Sequence, residues 1–258
     1  MKMIGVVALN TFREAVRDRV LYNLVFFALV MITAAVLVGQ ISIGIEELII
    51  VNLGLSAISI FGVVMAVFLG VSLVHKEIER RTLYTLLSKP VHRWEFIAGK
   101  YFGLCITLAL NTAFMTAGVA LALLYVKGGL HAADARVLVG VLFILLQLFL
   151  LTGLALLFSS FATPIVSTLG ALGLYVAGIF SQDIRAFGEI SKDATVKALT
   201  GFLYYILPNF GAFNVISAIA HDQKVPGALI GWNILYTIVY VAIMLLGAAA
   251  IFSKRDLK

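Results

Sequence analysis

Val137-Leu-Val-Gly-Val-Leu-Phe-Ile-Leu-Leu-Gln-Leu-Phe-Leu-Leu-Thr-Gly-Leu-Ala-Leu-Leu-Phe-Ser-Ser-Phe161 carries no charged side chain. A helix needs about 20 apolar residues to cross the hydrocarbon core of a bilayer, and this run exceeds that. Five more stretches read the same way: Val20 to about Ile41, Leu48 to Val74, Phe96 to Val126, Ile165 to Ser181 and Gly227 to Phe252. The second and third of the six are longer than a crossing requires, so their ends are expected to tilt or to leave the lipid. Pro164 and Pro226 fall at or near a first helical turn, where the missing amide hydrogen costs little.

Composition agrees. Of 258 residues, 62% are hydrophobic and 12% charged, and the mean hydropathy is +1.08. A soluble domain is about a quarter charged. The chain therefore reads as one all-α polytopic membrane domain, residues 1–258, with almost no soluble part. Disorder, a collagen-like fibre and a disulfide scaffold are excluded. The net charge of +6 would suggest nucleic acid in a soluble protein. Here it speaks of topology instead, and no nucleic-acid partner is expected. A single cysteine, Cys105, lies within an apolar run and forms no intrachain disulfide.

Residues 198–220 are a seventh apolar stretch, interrupted by Pro208, Asn209, Gly211 and Asn214. Those residues break a helix and bring unpaired polar groups into lipid. Charge decides between six spans and seven. With six, the inner segments hold Lys2, Arg13, Arg17, Arg19, Lys76, Arg80, Arg81, Lys89, Arg93, Lys100, Lys254, Arg255 and Lys258, against six basic residues outside. Seven spans would place the basic tail outside, against the positive-inside bias. The expectation is six spans in the inner (cytoplasmic) membrane, both termini cytoplasmic, and a pair of short outer re-entrant helices over 198–220.

No cleaved signal peptide is expected, since no small-x-small site follows the first apolar run. Residues 4–19 instead form an amphipathic pattern. Val6, Leu9, Phe12, Val16 and Val20 recur at spacings of three and four, with Asn10, Arg13, Glu14, Arg17 and Asp18 opposite. Such a helix lies in the membrane interface.

The connection His75–Lys100 carries six of the 19 basic residues. Ile78, Thr82, Leu83, Leu86 and Leu87 share one helical face. Glu77 and Arg81, four apart, pair on the surface for about 0.2–0.5 kcal/mol. Pro90 ends the helix, and Trp94 and Phe96 mark re-entry at the interface.

Glu77, Thr82, Leu83, Leu86, Leu87, Ser88, Pro90, Arg93, Gly99 and Lys100 form E-x4-T-L-x2-L-L-S-x-P-x2-R-x5-G-K. This resembles the pattern of ABC-2 type ABC-transporter permeases. Leu207-Pro208-Asn209 with Phe213-Asn214, and the ending Phe252-Ser-Lys-Arg-Asp-Leu257, resemble the same family. The resemblance covers essentially the whole chain. It departs at Arg81, where the family usually has glycine. The nearest likeness is to permeases linked to multicopper-enzyme maturation and related efflux systems.

The resemblance implies a permease subunit of an ATP-driven transporter, an exporter rather than an importer. It implies that Glu77, Ile78, Arg81, Thr82, Leu83, Leu86 and Leu87 lie on a cytoplasmic coupling helix that docks on a separate ABC ATPase. ATP and Mg would be bound by that partner. It also implies a transport path between two subunits, near spans one, two and five.

The chain itself has no nucleotide-binding loop, because Gly99-Lys100 lacks the upstream glycine and the following Ser or Thr. His75, His92, His131 and His221 lie outside the spans without a metal-spaced partner, so no metal or other cofactor is expected in this chain. No Asp, Glu, Lys or Arg lies mid-span, which disfavours an ion-driven carrier. A polytopic membrane enzyme and an ion-driven secondary carrier are the alternatives.

Within the spans, Asn52, Asn111, Gln147 and Asn233 are expected to hydrogen-bond between helices, for about 0.6 kcal/mol each. Asn52 and Ser56, four apart in span two, are also path candidates. In span five Ser167, Gly170, Ala171, Leu174, Ala177 and Gly178 share a face of mostly small residues, suited to close helix approach. One six-span bundle has no second half for alternating access. The expected partners are therefore a second copy of the chain, or a paralogous permease, and membrane lipid. The candidate contacts are Ser167, Gly170, Ala171 and Ala177.

Overall fold

The computed structural model describes residues 2–15, 26–27, 30–31, 33–34, 37–38, 44–79, 93–129, 132–191 and 193–254. The described chain is helical: α1 (Lys2–Ala15), α2 (Glu46–Glu79), α3 (Arg93–Lys127), α4 (Arg136–Ser159), α5 (Pro164–Ile179), α6 (Ser181–Ile190), α7 (Ala194–Ile206), α8 (Ile216–Ala220) and α9 (Gly227–Lys254). Short 3-10 turns at Ala132–Ala135 and Phe210–Phe213 join them. Most of the first expected span, 20–41, lies outside the described residues.

Among the described residues four helices are long and apolar enough to cross a membrane: Glu46–Ser72, Trp94–Lys127, Arg136–Ser159 and Gly227–Ile251. They match four of the expected spans. At about 1.5 Å per residue, the 34-residue α2 and the 35-residue α3 outrun a ~30 Å hydrocarbon core. Their ends therefore project beyond it. Gly128, with φ of +70°, closes α3. This left-handed conformation suits a glycine just past a helix end.

The expected fifth span is only the 16-residue α5, about 24 Å long. It continues into α6 after a 50° bend, and α7 bends by 54° into the segment Phe210–Ala220. Length and composition allow each bent pair to be one broken span or a re-entrant loop, giving four to six crossings among the described residues. The second bend falls where Pro208 and Asn209 interrupt the apolar run. Asn209 caps the new turn by accepting a hydrogen bond from the Ala212 amide at 3.1 Å.

The two bends pack on each other. Gly178, near the end of α5, lies against the Pro208 carbonyl, and Gly211 presents its Cα to the Ile179 carbonyl. A Cβ at either would strike a backbone oxygen, so only glycine permits this approach. The Tyr175 and Phe210 rings meet edge to face at 5.0 Å beside the crossing.

The core is built around α4, which is apolar all round and packs against α2, α3, α5 and α9. Phe143, Leu148, Leu150, Leu151 and Ala155 are fully enclosed. By contrast α9 is the outermost long helix, with Trp232, Leu235, Ile238, Ile243 and Leu246 exposed.

One end of the bundle is tied by charge. Lys127 bridges Glu47 at 2.7 Å and Asp134 at 2.8 Å, and Arg136 pairs with Asp222. At the other end Val7 of α1, Phe96 and Ile97 of α3 and Ala248 of α9 form one cluster. The first and last described helices therefore meet at the same end.

The docking of α1 adds a second, packed face to the expected amphipathic helix. Val7, Ala8, Thr11 and Ala15 are buried, whereas Val6 and Leu9 point outward. The small side chains settle against Gly99 and Gly103 of α3. The larger apolar stripe is left to face the surroundings, because close helix contact selects for small volume rather than for hydrophobicity.

Candidate functional site

Asn52, Ser56 and Ser59 recur at spacings of four and three on α2, so they share one face. Ser56 Oγ donates to Asn52 Oδ1 at 3.4 Å. From α4, Gln147 Nε2 donates to the Tyr175 hydroxyl of α5 at 2.9 Å and to Ser59 Oγ at 3.4 Å. These five residues make a polar seam through apolar helices where α2, α4 and α5 meet. Gln147 is nearly enclosed, and the other four are half-buried. The seam offers hydroxyl and carboxamide dipoles and no formal charge. It is equipped to exchange hydrogen bonds with a polar group rather than to titrate.

Ser56, a path candidate with Asn52, is thus extended by Ser59, Gln147 and Tyr175. The α2 part of the extension is legible as a periodic pattern. The pairing with Tyr175 is not, because it joins residues 28 apart in the chain. The expectation of interhelical bonds at all four polar span residues needs correction. Gln147 makes one, and Asn111 Nδ2 reaches the Met65 sulfur. Asn52 bonds within its own helix, and Asn233 Nδ2 donates to the Leu229 carbonyl one turn earlier at 3.0 Å.

In α5, Ser167, Ala171 and Gly178 are buried within the chain. Gly170 is covered by the Phe158 ring, 2.9 Å from where a Cβ would stand, and Ala177 is half-buried. The small stripe is therefore largely occupied by contacts inside one subunit. The outward face of α5 is Val166, Leu169, Gly173 and Val176. Leu172 packs against the core.

Of the residues assigned to the coupling helix, Glu77 and Ile78 lie in the last turn of α2, which runs unbroken to Glu79. Arg81, Thr82, Leu83, Leu86 and Leu87 lie outside the described residues. Among the described residues no cluster of His, Cys, Asp and Glu is arranged to hold a metal ion.

Compared with known families, residues 6–257 match the one described as ABC-2 family transporter protein. The chain belongs to the ABC-2 family of transporter membrane proteins. It is accordingly a multi-pass permease, the membrane subunit of an ABC transporter, and ATP hydrolysis belongs to a partner ATPase subunit. No curated protein matches the ABC-2 permease described here.

Proposed function

We propose that this permease is the membrane half of an ATP-driven exporter and that the seam between α2 and α5 faces the transported molecule. The observation that carries the reading is the line of uncharged hydrogen-bonding groups from Asn52 to Tyr175. It lies on spans two and five, where the family resemblance puts the path. Polar side chains in lipid are costly unless they are paired or line a cavity, and here they are gathered in one place.

In this reading both termini are cytoplasmic, as the thirteen inner basic residues favour. Leu83, Leu86 and Leu87 dock a separate ATPase that binds ATP and Mg. α7 and α8, with the turn between them, form the outer re-entrant pair expected over 198–220. Two subunits, either two copies or a paralogous pair, enclose the path. Because the small stripe of α5 is covered from within, the outward Leu169–Gly173–Val176 face is the better placed to meet the second subunit. The sequence pattern supports placing the chain near the permeases of multicopper-enzyme maturation.

The test is co-expression with candidate ATPases followed by reconstitution. The expected result is ATP-dependent transport that falls in Tyr175→Phe and Ser56→Ala while ATPase association persists. Catalysis or ion-coupled uptake by the purified permease alone, without ATP, would overturn the reading in favour of a membrane enzyme or a carrier.

A further inference from the structure

A groove of about 430 Å³ runs between the first turns of α9 and the segment around Asn209. Its size falls in the ~300–1,000 Å³ range of ligand sites. The groove is lined by apolar Leu235 and Val239, aromatic Trp232 and Tyr204, and the carboxamides of Asn209 and Asn233. Among the described residues no charged one lines it. Trp232 is 70% exposed and Leu235 51%. Both lie on a helix long and apolar enough to cross the bilayer, so the groove opens sideways towards lipid chains.

The two carboxamides decide what fits. Asn233 is only 4% exposed. Its Nδ2 donates to the Leu229 carbonyl, and among the described residues its Oδ1 has no hydrogen-bond partner. Asn209 uses Oδ1 to cap the 3-10 turn, and among the described residues its Nδ2 has no hydrogen-bond partner. The groove thus presents an acceptor at Asn233 and a donor at Asn209, beside the hydroxyls of Tyr236 and Tyr240, which already bond to Asn209 N–H and to the Tyr205 carbonyl; an unmade hydrogen bond in lipid is costly. A hydroxyl carries both complements, a hydrogen to donate to Asn233 and lone pairs to accept from Asn209. Arg185 stacks on the Tyr204 ring at 4.9 Å and pairs with Glu189 at 3.0 Å.

We propose that this groove binds an uncharged, hydroxyl-bearing amphiphile from the bilayer, its chain along α9 and its hydroxyl between Asn209 and Asn233. The site lies apart from the seam and needs no ATPase. Trp94 and Trp232 are the two tryptophans of the chain, so a Trp94→Phe background leaves Trp232 as a reporter in the groove wall. The probe is a monoacylglycerol with a dibrominated chain, titrated into the detergent-purified permease. Quenching of Trp232 should saturate. Asn233→Leu should raise the half-saturation concentration at least tenfold, and Ala212→Phe, which fills the groove, should remove the saturable phase. The ionised fatty acid of the same brominated chain should bind at least tenfold more weakly. Non-saturable quenching that neither variant changes would show contact with annular lipid only and overturn the proposal. Equal affinity for the ionised acid would overturn it as well.

Discussion

Gln147 on α4 donates a hydrogen bond to the hydroxyl of Tyr175 on α5 at 2.9 Å. It is the shortest bond of the seam and ties the core helix to the helix that precedes a bend. We predict that Tyr175→Phe lowers transport severalfold while costing about 0.6 kcal/mol of stability, the average for such bonds in membrane proteins. Gln147→Leu should lower transport at least as much, since it also releases Ser59. Transport assays on the reconstituted transporter, beside melting curves in detergent, separate the two effects. Unchanged transport in both variants would remove the seam from the path.

The crossing of the two bends is predicted to be intolerant. Gly178→Ala places a methyl group on the Pro208 carbonyl, and overpacking of this kind costs about 1–3 kcal/mol. Gly173→Ala meets no atom within 4 Å and should leave the melting temperature unchanged. In the dimer, cysteine at Gly173 should cross-link between copies and cysteine at Ala171 should not. The reverse pattern would place the second subunit elsewhere.

The seat of α1 makes a similar demand. A Cβ at Gly103 would lie 2.6 Å from the Ala8 carbonyl oxygen and from Thr11. Gly103→Val is predicted to unseat α1, seen as faster proteolysis between α1 and the first span. Gly118→Ala, 3.9 Å from the nearest side chain, serves as the tolerated control.

Coupling is tested in the segment 80–92. Leu83→Asp with Leu86→Asp should abolish co-purification of the ATPase and leave membrane insertion intact, because a buried carboxylate without a partner is costly. Normal recovery of the ATPase would show that it docks on other residues.

Topology is tested with single cysteines in a Cys105→Ala background. Cysteine at Lys89 should label from the cytoplasmic side and cysteine at Lys192 from the outside. Labelling of both from one side contradicts six spans.

The sequence alone determined the membrane class, the four long helices and the break at Pro208 and Asn209, but not the 50° bend between α5 and α6. These are local properties: hydropathy over some 20 residues sets a span, and Pro208 with Asn209 breaks a helix wherever it occurs. The helices Glu46–Glu79, Arg93–Lys127, Arg136–Ser159 and Gly227–Lys254 accordingly lie close to the apolar runs read from composition. The tertiary structure decided which faces meet. In lipid, apolar side chains are equally at home inside and outside, so hydrophobicity does not mark the buried face and small volume does. That is why α1 turns Val7, Ala8 and Thr11 inward and leaves Val6 and Leu9 outside, and why Ser167 and Ala171 are spent on contacts within the subunit. It is also why Tyr175 became part of the candidate site only when α5 was packed beside Gln147.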